Sequence, residues 1–262
     1  MSNPNFASQL NAALFLTASA LYFTAASHEM SQTGKGAGSA VVEKMVENSE
    51  ADIVQEPIKT IGLGPQPVII YVMGVCGCGK STVGTGIAQY FSIPYVDGDT
   101  LHTPEAVEQM RNNIPLTDSD RIPWLKRIRS HAVGELEIKP TGCVLAASSL
   151  KHAYREIQRG HSLPPNTLPC LPDGLQAPSG GENVKTIFVY LYGTKEVLAA
   201  RMKGRSGHYM KEDMLNSQLA TIEEPPAKES EDDIVIVNID DAPENVIKNA
   251  VEGIQRKLGL RP

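Results

Sequence analysis

Gly74-Val75-Cys76-Gly77-Cys78-Gly79-Lys80-Ser81 has the form G-x-x-x-x-G-K-[ST], and its reading decides the fold. An apolar, β-branched run precedes it (Val68-Ile69-Ile70-Tyr71-Val72-Met73), and Ser81 to Ala88 continues as a helix-compatible stretch. A strand, a glycine-rich loop and a helix in that order make an anion cradle. The glycines let main-chain N–H groups close around phosphate oxygens, Lys80 adds a point charge toward the β/γ-phosphates, and the Ser81 hydroxyl is placed to ligate Mg²⁺. Gly74, Val75, Cys76, Gly77, Cys78, Gly79, Lys80, Ser81 and Thr82 therefore form the expected nucleotide-binding segment, with ATP and Mg²⁺ as the expected cofactors.

Outward from this loop, short apolar runs alternate with helical patterns. Strands are predicted at 68–73, 94–97, 143–147, 186–192 and 234–239. Helices are predicted at 80–91, 104–112, 121–138, 149–159, 195–204, 211–222 and 243–258. This βαβα alternation with near-continuous apolar strands calls for an α/β fold, a parallel sheet covered by helices on both faces. Ligands in such sheets collect at the carboxyl ends of the strands.

The chain has 262 residues, 41% apolar and 21% charged, with a net charge of −6. That balance argues against a nucleic-acid footprint, so an acidic substrate has to be met by a local cluster of cations. Four irregularly spaced cysteines do not make a disulfide framework, and two of them fall in the phosphate loop, which favours a reducing compartment. Residues 1–65 read as an extension and linker, expected to be disordered. Ala12 to Ala26 is mildly apolar but shorter than a membrane span and lacks the cations of a targeting segment. The expectation is a cytoplasmic protein without stable membrane insertion, mitochondrial targeting being the weaker reading. The folded domain is expected over 66–262, interrupted at 161–183 by a segment with five prolines, read as a disordered surface insertion.

Chemistry-bearing residues follow the strands. Asp97 and Asp99 alternate at a strand end, so they can share one side at the mouth of the phosphate loop. One carboxylate can serve a Mg²⁺ ion while the other accepts the proton of an attacking hydroxyl, although an Asp-rich turn capping a helix has the same pattern. Asp120 is a candidate helix N-cap and Trp124 a packing anchor, while Arg121 can grip an anionic or polyhydroxyl substrate or lie on a helix surface. Lys151 and Arg155, four apart, could hold a carboxylate or form a solvated basic face. Arg201 and Arg205 precede a glycine hinge and could bring positive charge over the γ-phosphate from a mobile segment, or simply complement a helix dipole.

Taken together these stretches resemble the gluconokinases of the P-loop sugar-acid kinase type, relatives of shikimate and nucleoside-monophosphate kinases. The resemblance runs from about Val68 to Leu258. Its most specific parts are Asp-Arg-x-Pro-Trp-Leu at 120–125 and Gly-His-Tyr at 207–209, with Asp-Gly-Asp-x-x-His at 97–102 and Gln-x-x-Thr-Ile-Glu-Glu-Pro at 218–225. It implies a P-loop fold with a parallel five-stranded sheet and a small lid, like nucleoside-monophosphate kinases. It implies transfer of the ATP γ-phosphoryl group to the 6-hydroxyl of D-gluconate, feeding the pentose phosphate pathway. By this resemblance Lys80, Asp97, Asp99 and Arg205 are catalytic, and Ser81 and Asp97 serve the metal. Arg201 and Arg205 hold the nucleotide, and Asp99, His102, Arg121, Lys151, Arg155 and His208 meet gluconate. A homodimer stands open as the assembly. A shikimate or nucleoside-monophosphate kinase, or a non-catalytic nucleotide-binding module, are the competing readings. The family usually has serines at positions 76 and 78; a thiol beside Lys80 and a helix N-terminus is expected to have a lowered pKa and to make the enzyme oxidation-sensitive.

Overall fold

The computed structural model describes residues 62–112, 114–178, 180–203, 208–225 and 232–260, which lie within one unit, Ile61–Pro262. Among them β1 (Val68–Met73) is buried along its whole length. Such a strand has to be central, flanked by strands on both edges and by helices on both faces. β1 pairs in parallel with β3 (Gly142–Ala146), Val68 opposite Gly142 and Val72 opposite Ala146. On its other side it pairs with β4 (Lys185–Tyr192), Met73 opposite Tyr190. β2 (Tyr95–Asp97) and β5 (Ile234–Asn238) complete a five-stranded parallel sheet of order β2-β3-β1-β4-β5. The chain leaving β1 crosses to β2 at one edge, whereas the chain leaving β3 crosses past β1 to β4. The crevice between the carboxyl ends of β1 and β3 is therefore the topological switch point.

One face of the sheet is covered by α1 (Lys80–Phe91) and the late helix α7 (Pro243–Leu258), which pack on each other through Gly86 and Ile247. Both helices have the bounds that the sequence predicts. Pro243 opens α7 at its first turn, and Gly259 closes it in the left-handed region at φ 68°. α3 (Asp118–Ile138) and α4 (His152–Arg159) cover the opposite face, where Trp124, Leu125, Ile128, Tyr154 and Ile157 meet Ile69, Tyr71 and Met73. α2 (Pro104–Arg111) lies between β2 and α3 in the chain, while α5 (Lys195–Lys203) and α6 (His208–Thr221) lie between β4 and β5.

Several expectations are corrected. α3 starts three residues earlier than predicted, because Thr117 is its N-cap. Asp120 is the N3 partner of a capping box, its carboxylate accepting the Thr117 N–H at 2.8 Å. α4 starts at His152 because Ser149 has φ 48° and Lys151 is extended, so neither continues a helix. The described residues of the 161–183 segment pack rather than float. Leu163 and Leu168 are buried in the α3/α4 core, and Leu163 and Leu175 exchange main-chain hydrogen bonds of 2.8 and 2.9 Å. Upstream, Leu63 is buried beside Gly142, so ordered packing begins slightly before the expected start at residue 66. The apolar stretch 12–26 lies outside the described residues. Among the described residues no helix is long and apolar enough to cross a membrane.

Candidate active site

The phosphate loop occupies the switch point. Gly77 and Gly79 have φ of 80° and 99°, the left-handed region that glycine adopts without strain, and a Cβ on Gly77 would stand 2.7 Å from Met202 Cγ of α5. The loop is tied to the neighbouring strand end by the Gly74 N–H, which donates to the Ser148 carbonyl at 3.2 Å. Lys80 folds back over the loop and donates to the Gly74 and Val75 carbonyls, both at 3.1 Å. Its ammonium is thereby held over the anion cradle.

Asp97, the last residue of β2, accepts a hydrogen bond of 3.4 Å from the Ser81 hydroxyl. Its other oxygen accepts the Asp99 N–H at 3.1 Å, which holds Gly98–Leu101 in a single 3-10 turn. Gly98 is required there: a Cβ would lie 2.3 Å from the Ala146 carbonyl. The Trp124 indole donates to the Gly98 carbonyl at 2.8 Å, fixing the turn to α3. Trp124 also stacks on His102, with centroids 4.3 Å apart and planes 8° from parallel.

Three cavities adjoin along this crevice. One of about 190 Å³, over the loop, is lined by Lys80, Ser81, Thr82, Asp97 and Asp99. A second, of about 260 Å³, lies behind it between Gly77, Gly79, Arg201, Pro243 and Val246. A third, of about 190 Å³, lies in front and shares Cys76, Lys80 and Asp99 with the first. His102, Arg121, Ser148 and Gln218 supply its polar wall, and Met110, Ile114, Leu116 and Met214 its apolar rim. A phosphate tail in the first cavity would thus face whatever occupies the third. The hydroxyl of Ser81 and the carboxylate of Asp97 are hard oxygen donors facing each other over the loop, a set that suits Mg²⁺ carried in with phosphates and water.

Burial raises the Asp99 pKa, Asp97 adds to the rise, and Lys80 and Arg121 oppose it. For His102, burial and the nearby Arg121 and Arg127 guanidinium groups lower the pKa to about 4, so the ring is neutral near pH 7. Its Nδ1 is buried and has no hydrogen-bond partner among the described residues. Arg121 donates through Nε to the Leu116 carbonyl at 3.2 Å, which orients its fork along the cavity wall.

Other expected residues lie elsewhere. Arg155, 1% exposed, does not share a basic face with Lys151; it donates to the Ser149 and Glu223 carbonyls at 3.2 and 3.3 Å and braces the loop that presents Ser148. Lys151 precedes α4 and pairs with Asp118 at 2.8 Å, with Tyr154 donating to the same carboxylate. Neither Arg155 nor Lys151 lines the cavity in front of the loop. Arg201 lines the rear cavity and donates to the Ile239 carbonyl. Arg205 and the side chain of His208 lie outside the described residues. The expected thiol activation is overturned: burial pushes both the Cys76 and Cys78 pKa values up, outweighing Lys80. Gln218 opens a stretch that carries the family resemblance, but sequence reading assigns no role to it or to Ser148, because no local pattern shows that a side chain reaches the loop from far along the chain.

No family model matches the chain. Among curated proteins it is 33% identical over 188 residues to the thermoresistant gluconokinase of Escherichia coli, covering 71% of this chain and 94% of that one. It is 34% identical over 193 residues to the gluconokinase of Gluconobacter oxydans, covering 74% and 94%. Among solved structures, a gluconokinase from Sinorhizobium meliloti superposes with a TM-score of 0.57 at 34% identity, covering 74% of this chain and 94% of that one. A sugar kinase from Janibacter does so with a TM-score of 0.57 at 30% identity, covering 73% and 95%. With a phosphate loop at the switch point, and with relatives this similar matched along nearly their whole length, the chain belongs to the gluconokinase family of P-loop kinases.

Proposed function

We propose that this protein transfers the γ-phosphoryl group of ATP to the 6-hydroxyl of D-gluconate in the cytoplasm. The products are ADP and 6-phospho-D-gluconate, which enters the pentose phosphate pathway. The observation that carries this reading is the sharing of Lys80 and Asp99 between the phosphate-loop cavity and the cavity in front of it. Donor and acceptor would meet across those two side chains. Gluconate as the acceptor is supported by the names of the relatives.

The rear cavity, with Arg201 and the first turn of α7, is the place for the nucleoside. Lys80 and the loop amides bear the charge of the triphosphate. Ser81 and Asp97 would hold Mg²⁺, which neutralises phosphate charge when bound. Asp99 orients the sugar acid's terminal hydroxyl and receives its proton as the new P–O bond forms and the bond to the β-phosphate bridging oxygen breaks. A carboxylate with a raised pKa is better matched to that proton than an ordinary aspartate. Arg121 carries positive charge on the acceptor side of the cavity, suited to the gluconate carboxylate, and His102 offers a neutral ring nitrogen to a hydroxyl.

The test is ADP release across a panel of sugar acids, shikimate and nucleoside monophosphates. Gluconate should give the highest kcat/KM, and Asp99→Asn should lower turnover about 10²–10⁴-fold while sparing binding of an ATP analogue. Preference for shikimate or a nucleoside monophosphate would reject the substrate, and unaltered turnover in Asp99→Asn would remove Asp99 from the mechanism.

A further inference from the structure

The tip of the phosphate loop already has an acceptor. The Cys76 main-chain N–H donates to Gln218 Oε1 at 2.7 Å, from a residue 142 positions away on α6. It is one of the N–H groups that a loop of this kind turns toward phosphate oxygens. Gln218 also lines the cavity in front of the loop, together with Asp99 and His102. One carboxamide therefore stands where a phosphate oxygen would compete for its donor, and beside the place an acceptor hydroxyl would occupy.

The helix that carries Gln218 is fixed at its far end. Just beyond α6 the Glu223 N–H donates to the Leu150 carbonyl at 2.8 Å, and the Glu223 carboxylate accepts the His152 N–H at 2.7 Å. Arg155 holds the Glu223 carbonyl from below at 3.3 Å. The 148–152 loop is in turn tied to the phosphate loop through Ser148 and Gly74. With α6 anchored in this way, release of the Cys76 hydrogen bond need not displace the helix; the Gln218 side chain alone can turn.

We propose that Gln218 is a positioning residue that reports occupancy of the phosphate loop to the acceptor pocket. In the free protein it caps the Cys76 N–H. When a phosphate oxygen takes that N–H, the carboxamide is freed to offer its carbonyl and NH₂ to the hydroxyls of the sugar acid. Nucleotide thereby prepares the acceptor site, and by linkage the acceptor tightens nucleotide by the same factor. The coupling arm of this inference rests on the gluconate reading above; the cap on Cys76 does not.

The experiment measures the affinity of a non-hydrolysable ATP analogue by calorimetry with and without gluconate, for wild type, Gln218→Leu and Gln218→Glu. Amide hydrogen exchange at Cys76 is followed in the same proteins. Wild type should bind the analogue about tenfold tighter with gluconate present, within the usual range of coupling between sites. Gln218→Leu should lose that enhancement without losing affinity for the analogue alone. Gln218→Glu should keep the cap on Cys76 but bind the analogue more weakly, because its carboxylate repels the phosphate. In the nucleotide-free proteins, Cys76 exchange should be faster in Gln218→Leu than in wild type, and nucleotide should slow it in both. Full retention of the gluconate effect in Gln218→Leu overturns the proposal, as does equal Cys76 exchange in the two free proteins. If gluconate leaves the wild type's affinity unchanged, the proposed coupling is overturned; turnover in the substrate panel separately decides the gluconate assignment, and exchange at Cys76 still decides the cap.

Discussion

Burial acts on Asp99 and His102 in opposite senses, raising the pKa of the acid and lowering that of the base, because in each case it disfavours the charged form. If Asp99 must be ionised to take the hydroxyl proton, activity is lost as pH falls through its folded pKa. The acidic limb of kcat/KM should then lie above the usual aspartate value of 3.8. Since Arg121 holds that pKa down, Arg121→Gln should move the limb further up, whatever it does to KM. A pH–rate profile with the limb at or below the ordinary position would contradict this. His102, pushed down to about 4, should show ring proton NMR signals that stay flat through the neutral range and begin to move only in acid. Arg155 carries the opposite lesson. Its four-residue spacing from Lys151 suggests a substrate grip, yet it is 1% exposed and directs its donors to main-chain carbonyls. Spacing reports which residues could share a helix face. It does not report which way that face turns.

Element boundaries are legible where their signals are local. Apolar runs bounded by turn residues mark the strands, and Pro243 and Gly259 bracket α7. The boundaries escape a sequence reading where a side chain or a left-handed residue moves them, as at the Thr117–Asp120 capping box and at Ser149. The Gly98 turn is a close approach between two elements. Any Cβ at this position would meet the Ala146 carbonyl at the end of β3, and Trp124 of α3 secures the turn's own carbonyl. Gly98→Ala should therefore cost roughly 1–3 kcal/mol of stability, the range for forcing atoms into a closed space. It should also displace Asp97 and Asp99, lowering kcat. Thermal unfolding together with steady-state kinetics checks both effects, and a Gly98→Ala variant as stable and active as wild type would show that the turn has room to relax.

At the scale of the whole molecule, the 161–183 segment joins the core through Leu163 and Leu168, and none of its described residues lines the three cavities of the crevice. Leu168→Ala should cost about 2–4 kcal/mol in chemical denaturation while leaving kcat and KM for gluconate near wild type. Stability unchanged by the substitution would mean that the leucine's burial contributes little. The proline count suggests a floating insertion, because prolines exclude helix and sheet, but they do not prevent a loop from burying leucines. The sequence alone determined the phosphate loop, the alternation of strands and helices, and the Asp97/Asp99 pair, since these depend on backbone dihedrals and side-chain periodicity over a few residues. Tertiary structure decided which distant groups meet them. Strand order put Asp99 beside Lys80, and helix rotation buried Arg155. The docking of α6 brought Gln218 to Cys76 across 142 positions, a contact set by how packed elements share space rather than by any local preference of the chain.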